Sequence, residues 1–154
     1  MGPMSSENAL NNISDQVYRA LSHGDELVTG GTVVDETFYL PTVLKVKDTE
    51  SPAWREELFG PVFSVISYKH EEQALELAND TDLGLSAVVV GKNTKKAEEF
   101  GSKIDSGMVY VNELNLANCE LPFGGVKRSG YGRECGSMGF ESFCNVQSHY
   151  TSNK

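Results

Sequence analysis

Apolar runs and amphipathic stretches alternate through the second half of the chain, and this alternation constrains the fold more than any other feature. Strands are predicted at residues 62–66, 85–90 and 108–111, and helices at residues 70–77 and 95–103. Helices of this length between strands act as right-handed crossovers, which place successive strands parallel to one another. The sequence therefore predicts an α/β fold with a mostly parallel sheet and flanking helices.

The first part of the chain adds a helix and two short strands to this series. Residues 7–21 carry apolar side chains at steps of three and four, behind the serine cap of Ser5 and Ser6: Leu10, Ile13, Val17 and Leu21. Gly24 is expected to end this helix. Residues 27–29 and 39–46 are predicted strands, with Pro41 marking a strand edge or start because it lacks an amide hydrogen.

The last third of the chain loses this periodicity. Residues 113–131 are rich in Gly, Asn and Pro, and a loop of this length inside a folded chain more often carries function than a short connector does. A short helix is predicted near residues 136–141, and residues 143–150 are predicted to form an edge strand. An exposed strand edge pairs readily with another chain. We therefore expect residues 1–142 to form the main domain and residues 143–154 an oligomerisation strand and tail.

Charge and composition exclude several classes of function. A net charge of -9 argues against binding to nucleic acid or to an anionic membrane surface, because both repel an acidic protein. No stretch approaches the roughly 18 apolar residues that a membrane span requires. The three cysteines form no C-x-x-C pair, which favours reduced thiols in the cytoplasm. The three histidines, His23, His70 and His149, share no ligand spacing, so no metal site is predicted.

Residues 56–61 are the first candidate site. They place two carboxylates, Glu56 and Glu57, beside Phe59 and a Gly-Pro turn, directly before a predicted strand. Ligands of α/β proteins gather in the loops at strand ends, and a carboxylate can accept hydrogen bonds from ribose hydroxyls. The alternative is a helix end with solvated carboxylates and Phe59 in the core. The residues alone favour that alternative.

Residues 121–134 are the second candidate site. Their glycines allow backbone to approach a ligand closely, and three cations accompany them: Lys127, Arg128 and Arg133. The segment contains neither a Walker lysine pattern nor a G-x-G-x-x-G after a strand. The alternative is a surface loop whose cations pair with some of the 22 acidic residues. The residues alone leave both interpretations open.

Five motifs, taken in order, give the chain its resemblance to a known family. They are Pro41-Thr42-Val43, residues 56–61, Ala78-Asn79-Asp80-Thr81 with Gly84-Leu85, residues 107–112, and residues 122–134. Through them the chain resembles the aldehyde dehydrogenase superfamily, from Gly2 almost to the C-terminus. The stretch Leu-Pro-Phe-Gly-Gly-Val-Lys at residues 121–127 is most similar in style to the succinate-semialdehyde dehydrogenases.

The resemblance implies an NAD or NADP cofactor, an aldehyde substrate and roles for particular residues. It implies that Glu57 hydrogen-bonds the hydroxyls of the nicotinamide ribose and that Phe59 packs near the nicotinamide end. Three residues of the long loop match positions that shape the substrate tunnel: Asn115, Ala117 and Phe123. The last strand of the family joins subunits, so a homo-oligomer is expected.

The resemblance also implies what this chain does not supply. The family's nucleophile is a cysteine in a Gly-Gln-x-Cys setting, and both it and the general base glutamate match positions before residue 1. The cysteines that are present, Cys119, Cys135 and Cys144, lie in other contexts and are expected to be small buried or half-buried residues. No catalytic residue is therefore predicted in this chain.

The sequence is thus interpreted as the C-terminal part of an NAD(P)-dependent aldehyde dehydrogenase that oxidises an aldehyde, such as succinate semialdehyde, to the acid. On its own the chain is predicted to be inactive and to bind NAD weakly or not at all. The alternatives are a non-catalytic binding or assembly module, one half of a split enzyme with a complementary N-terminal half, or a truncated piece of a full-length enzyme.

Overall fold

The computed structural model describes residues 1–114 and 118–153. The chain divides into two compact units, Met1–Ala74 and Leu75–Lys154, called unit 1 and unit 2 below. No helix among the described residues is long and apolar enough to cross a bilayer.

Unit 1 is built from a long helix and short strands. In chain order its elements are α1 (Glu7–His23), β1 (Glu26–Thr29), β2 (Val33–Asp35), β3 (Phe38–Tyr39), β4 (Thr42–Lys45), α2 (Pro52–Arg55) and β5 (Val62–Val65). Helix α3 (Glu71–Asn79) continues from unit 1 into unit 2.

Helix α1 has the ends that its sequence predicts. The Ser6 hydroxyl accepts a hydrogen bond from the Ala9 amide at 3.1 Å, and Gly24 ends the helix with a left-handed φ of 112°. Ile13 and Ala20 are fully buried in the middle of its apolar face. The close approach of this face also explains Gly60, because a β-carbon there would lie 2.8 Å from Ile13 Cγ1.

The sheet of unit 1 is centred on β4. This strand pairs parallel with β5 and antiparallel with β1, and its residues Thr42 and Leu44 are fully buried. A separate hairpin joins β2 and β3. The predicted strand at residues 39–46 is interrupted at Leu40 and Pro41, so that β3 and β4 belong to different sheets.

Unit 2 repeats the strand-helix-strand pattern. Its elements are β6 (Leu83–Gly84), β7 (Ser86–Val89), α4 (Thr94–Gly101), β8 (Met108–Val111), β9 (Val126–Lys127) and α5 (Gly136–Glu141). Strands β7 and β8 are parallel with α4 between them, and the Asn93 side chain caps α4 by accepting from the Lys96 amide. The short strands β6 and β9 are antiparallel.

The predicted α/β class is confirmed, and the sheets prove to be mixed. The parallel pairs are β4 with β5, around the short helix α2 that the sequence does not predict, and β7 with β8, around the predicted helix α4. The antiparallel pairs are β1 with β4, β2 with β3, and β6 with β9. Strands β1 and β4 match predicted strands, whereas β2, β6 and β9 are not predicted, because strands of two or three residues have too few side chains to show a period.

The predicted strand at residues 143–150 is not formed within this chain. The amides of Phe143 and Cys144 bond back to Phe140 and Glu141 at the end of α5, and no strand follows up to residue 153. The side chain of Val146 is 99% exposed. A β-strand requires a partner for its backbone groups, and no other segment of the described chain pairs with this one.

Candidate functional site

The first candidate segment, residues 56–60, leads from α2 to β5 and is anchored by Glu56. Arg19 on α1 donates from Nη1 to Glu56 Oε1 at 2.5 Å and from Nη2 to Oε2 at 2.8 Å. Gln16 Nε2 donates to the same Oε2 at 3.0 Å. These hydrogen bonds, with that of Arg19 the strongest, lower the pKa of Glu56 to about 2.

The next residues are fixed through the backbone and the core. Gln16 Nε2 also donates to the carbonyl of Glu57 at 3.2 Å, and Leu58 packs against the hydrophobic core of unit 1. The Gly60 amide donates to the Leu58 carbonyl at 2.9 Å, which closes a tight turn before β5. The main chain on both sides of Glu57 and Phe59 is therefore held in place.

The side chains of Glu57 and Phe59 point away from that core. Glu57 is exposed, and Phe59 is 73% exposed, so the expectation of a core phenylalanine is wrong. Within the described residues, the Glu57 carboxylate makes no hydrogen bond or ion pair. The carboxylate can therefore accept hydrogen bonds from a ligand, and the ring can pack against one.

Phe123, the predicted tunnel residue of unit 2, lies half-buried at the base of the glycine-rich loop. It exchanges backbone hydrogen bonds with Glu134, at 2.7 and 2.6 Å, as an isolated antiparallel bridge. Phe123 lines a cleft of about 380 Å³ together with Tyr131, Arg133 and Ser142. The other two predicted tunnel residues, Asn115 and Ala117, lie outside the described residues.

The glycines of this loop pack against backbone of the same unit. A β-carbon on Gly107 would lie 1.9 Å from the Gly124 carbonyl oxygen, and one on Gly124 would lie 2.3 Å from the Gly132 carbonyl oxygen. Larger residues at these two positions would collide with main chain. The glycines therefore serve the close approach of the loop to itself and to the start of β8.

The cations of the loop are also used structurally. Lys127 Nζ donates to the carbonyls of Asn79 and Thr81, both at 3.0 Å, and lies 3.3 Å from the Asp105 carboxylate. Arg133 Nη1 donates to the carbonyls of Gly125 and Gly132, both at 2.7 Å. The surface-loop interpretation expects the cations to pair with acidic residues, and Lys127 and Arg128 do so with Asp105 and Asp82, the latter at 3.7 Å. Arg133 contacts backbone carbonyls instead.

Two asparagines of the family-like motifs have similar roles in unit 2. Asn79 binds the turn after α4, donating to the Lys103 carbonyl at 3.0 Å and accepting from the Asp105 amide at 2.8 Å. Asn112 follows β8 with a left-handed φ of 54°, and its amide group bonds both the N–H and the C=O of Gly91, at 2.8 and 2.9 Å. These contacts fix the ends of the parallel pair β7 and β8.

The cysteines differ from their prediction. All three thiols are free and exposed, whereas small buried or half-buried residues were expected. The reason is their location, since Cys119 and Cys135 flank the glycine-rich loop and Cys144 follows α5.

The histidines lie apart from one another. His23 Nε2 is 2.8 Å from Asp48 Oδ1, and this contact lowers the pKa of Asp48. His70 Nδ1 lies 3.4 Å from Glu72 Oε2. In the part of the chain that the structure describes, His, Cys, Asp and Glu form no group of three or more that could hold a metal ion.

Sequence reasoning did not identify the residues that hold the Glu57 segment in place, Gln16 and Arg19. One signal was available: Gln16 lies between Ile13 and Val17 on the apolar face of α1, and it is 5% exposed. A polar side chain at such a position requires a buried hydrogen-bond partner. Its partners, Glu56 and the Glu57 carbonyl, lie some 40 residues away in the sequence.

Comparison with known proteins gives consistent matches over nearly the whole chain. The model of the aldehyde dehydrogenase family matches residues 1–149. The chain is 38% identical over 149 residues to succinate semialdehyde dehydrogenase (NAD(P)+) Sad of Escherichia coli (strain K12), covering 96% of this chain and 32% of that protein. It is 40% identical over 147 residues to succinate-semialdehyde dehydrogenase (NADP(+)) of Deinococcus radiodurans, covering 94% and 31%.

A solved structure extends the comparison to three dimensions. Succinic semialdehyde dehydrogenase from Streptococcus pyogenes, crystallised with NADP+ as the cofactor, superposes with a TM-score of 0.92 at 40% identity. The match covers 98% of this chain and 34% of that one. The chain thus spans about a third of the length of the relatives it matches.

Proposed function

The chain belongs to the aldehyde dehydrogenase family, and from that premise we propose that it supplies the nicotinamide end of an NAD(P) site and part of the wall of an aldehyde tunnel. The observation that carries the proposal is the segment at residues 56–60. Its main chain is anchored through Glu56 and Leu58, and it presents Glu57 and Phe59 to solvent.

The two exposed residues have separate tasks in this proposal. The Glu57 carboxylate accepts hydrogen bonds from the two hydroxyls of the nicotinamide ribose, and charge-assisted hydrogen bonds of this kind are the stronger ones. The Phe59 ring packs against the nicotinamide end and excludes water from it. The cofactor, when bound, supplies the hydride acceptor for aldehyde oxidation, and the protein supplies its orientation.

The substrate proposed is succinate semialdehyde. The proposal is supported by the names of two relatives that are 38% and 40% identical to this chain. In unit 2 we assign Phe123 to the tunnel wall, because it faces a cleft between the glycine-rich loop and the residues after α5. Asn115 and Ala117 are assigned to the same wall by the family resemblance alone.

The chemical step is proposed to depend on residues that this chain does not contain. Its sequence has no Gly-Gln-x-Cys motif. The three cysteines are exposed and lie in other sequence contexts.

The proposal predicts that the nicotinamide half of the cofactor is recognised without the adenine half. We expect nicotinamide mononucleotide to bind the chain with a Kd of about 1 mM or weaker, because one carboxylate and one ring give little binding energy. In an NMR titration, the amides of residues 57–60 should shift with nicotinamide mononucleotide and stay unchanged with adenosine monophosphate. The shifts should disappear in Glu57→Gln.

A matched variant separates specific binding from loss of surface charge. Glu50 is another exposed carboxylate of unit 1, and Glu50→Gln should leave the titration unchanged. Equal shifts in the chain and in Glu57→Gln, or shifts that map to other residues, would overturn the assignment of the nicotinamide end to this segment.

A specific observation also favours a partner polypeptide. Each unit exposes apolar strand residues: Phe63 and Val65 on β5 of unit 1, and Val88 on β7 and Val90 just after it in unit 2. Exposed apolar patches of this kind mark interaction surfaces. We therefore propose that further polypeptide covers these strands. It is either a complementary N-terminal part of the family fold or another copy of this chain in a homo-oligomer.

A further inference from the structure

Cys119 and Cys135 flank the glycine-rich loop, and their backbone segments are in contact. The carbonyl oxygen of Cys119 accepts a hydrogen bond of 2.9 Å from the amide of Gly136, the residue after Cys135. The Cys119 α-carbon is two covalent bonds from the accepting oxygen, and the Cys135 α-carbon is two covalent bonds from the donating nitrogen. The Phe123 and Glu134 bridge closes the same loop a few residues further along.

This arrangement is compatible with a disulfide. The hydrogen bond holds the backbone segments of the two cysteines against each other, and a disulfide requires α-carbons roughly 4.4–6.8 Å apart. Both thiols are free and exposed, so an oxidant can reach them. Cys144 is differently placed, because its amide and its sulfur both contact α5, through Glu141 and Phe140.

The backbone conformation at Cys135 is a further feature of this pair. Cys135 has a φ of 57°, in the left-handed region that residues with a β-carbon seldom occupy. Gly136 has a similar φ of 55°, and together they turn the chain sharply between the glycine-rich loop and α5. The turn brings the amide of Gly136 to Cys119 and leaves the Cys135 side chain at the surface.

We propose that Cys119 and Cys135 form an oxidation site at which hydrogen peroxide produces an intramolecular disulfide. One thiolate attacks the peroxide and becomes a sulfenic acid as hydroxide leaves. The second thiolate then attacks the sulfenic sulfur, the S–S bond forms, and a second hydroxide leaves. The two thiols lose two electrons and two protons, and the peroxide is reduced to two molecules of water.

The acidic residues next to the two cysteines favour a neutral oxidant over an anionic one. Glu120 follows Cys119 and Glu134 precedes Cys135 in the sequence, and both residues are exposed. An acidic surface repels anionic disulfides such as oxidised glutathione and leaves neutral hydrogen peroxide unaffected. The pair depends only on residues of unit 2, so this inference stands independently of the proposed NAD(P) site.

The test is oxidation of the full chain, first reduced and then freed of reductant. About one equivalent of hydrogen peroxide is added, in line with the stoichiometry of disulfide formation. Free thiols are then counted in denaturant, and a digest is analysed by mass spectrometry without reduction. The expected result is the loss of two of the three thiols, with the Cys119 and Cys135 peptides linked and Cys144 unmodified.

Two serine variants supply the controls. Cys144→Ser should still lose both of its remaining thiols, whereas Cys119→Ser should form no intramolecular disulfide. All three positions are exposed, so these substitutions leave the fold intact, which circular dichroism verifies. A bond that contains Cys144, a main product of linked dimers, or oxidation of both thiols without a link would overturn the proposal.

Discussion

Glu56 and Glu57 are neighbouring carboxylates whose environments give them different roles. Glu56 shares both oxygens with Arg19 and Gln16, and its pKa is lowered to about 2. Glu57 keeps its carboxylate free of such partners within the described residues and exposes it to solvent. The first residue thus holds the segment, and the second is available to a ligand.

Removing the Glu56 charge should therefore lower stability in a pH-dependent way. The folded-state pKa of Glu56 lies below its unfolded value of 4.5. Its contribution is thus complete above pH 4.5 and is lost as the pH falls towards 2. We expect Glu56→Gln to destabilise unit 1 by about 0.5–1 kcal/mol at pH 7, because the pair is partly exposed and screened. The difference from the unmodified chain should shrink as the pH falls below 4.5.

Fluorescence of Trp54, the one tryptophan of the chain, measures this effect during urea unfolding, since Trp54 packs against the core of unit 1. Glu57→Gln is the matched control and should leave the midpoint unchanged. Equal destabilisation by both variants would contradict the division of roles.

The sequence could not make this distinction, because the residues that separate the two carboxylates lie on α1, far away in the chain. By chemistry alone, the residues of this segment favoured solvated carboxylates and a buried Phe59. Only the family resemblance pointed to Glu57 and Phe59, and the structure shows both exposed.

At the scale of elements, the sequence predicts the features that depend on residues close together in the chain. The Ser6 cap and the Gly24 end of α1 were readable, because capping depends on residues within one turn of the helix. The β6 and β9 pair was not readable, since two-residue strands joined over 40 positions leave no periodic pattern. Helix α2, with four residues, was missed for the same reason, although Pro52 at its first turn was a usable signal.

The strand predicted at residues 143–150 is the element whose formation requires a partner chain. It carries no acidic or basic residue apart from His149, and its apolar side chains Phe143, Val146 and Tyr150 are exposed. We predict that it forms a strand only by pairing with another chain, because unpaired backbone groups favour such pairing. Light scattering should show oligomers of the full chain and monomers of a chain that ends at Glu141.

A substitution that introduces a charge into this segment provides the matched control. Val146→Lys in the full chain should shift the scattering towards the monomer, because a lysine on a strand edge opposes pairing. Monomers of both the full and the shortened chain at high concentration would show that the segment has no role in assembly.

At the scale of the whole molecule, each unit presents residues to which the proposal assigns a role, and each leaves apolar strand residues exposed. Unit 1 presents Glu57 and Phe59, and unit 2 contains Phe123 and the loop locked by Lys127 and Arg133. The chain spans about a third of the relatives it matches. Its place in aldehyde oxidation is therefore proposed to be the orientation of the cofactor and the shaping of the tunnel.

The central claim is that this chain orients a nicotinamide cofactor without carrying out the oxidation itself. The direct measurement is NAD(P)H absorbance when the purified chain is mixed with succinate semialdehyde and either NAD or NADP, beside a complete relative as positive control. We predict no steady production of NAD(P)H above the rate without protein. Production that scales with the concentration of the chain and is lost in Glu57→Gln would contradict the claim, because it would show that the chain carries its own catalytic group.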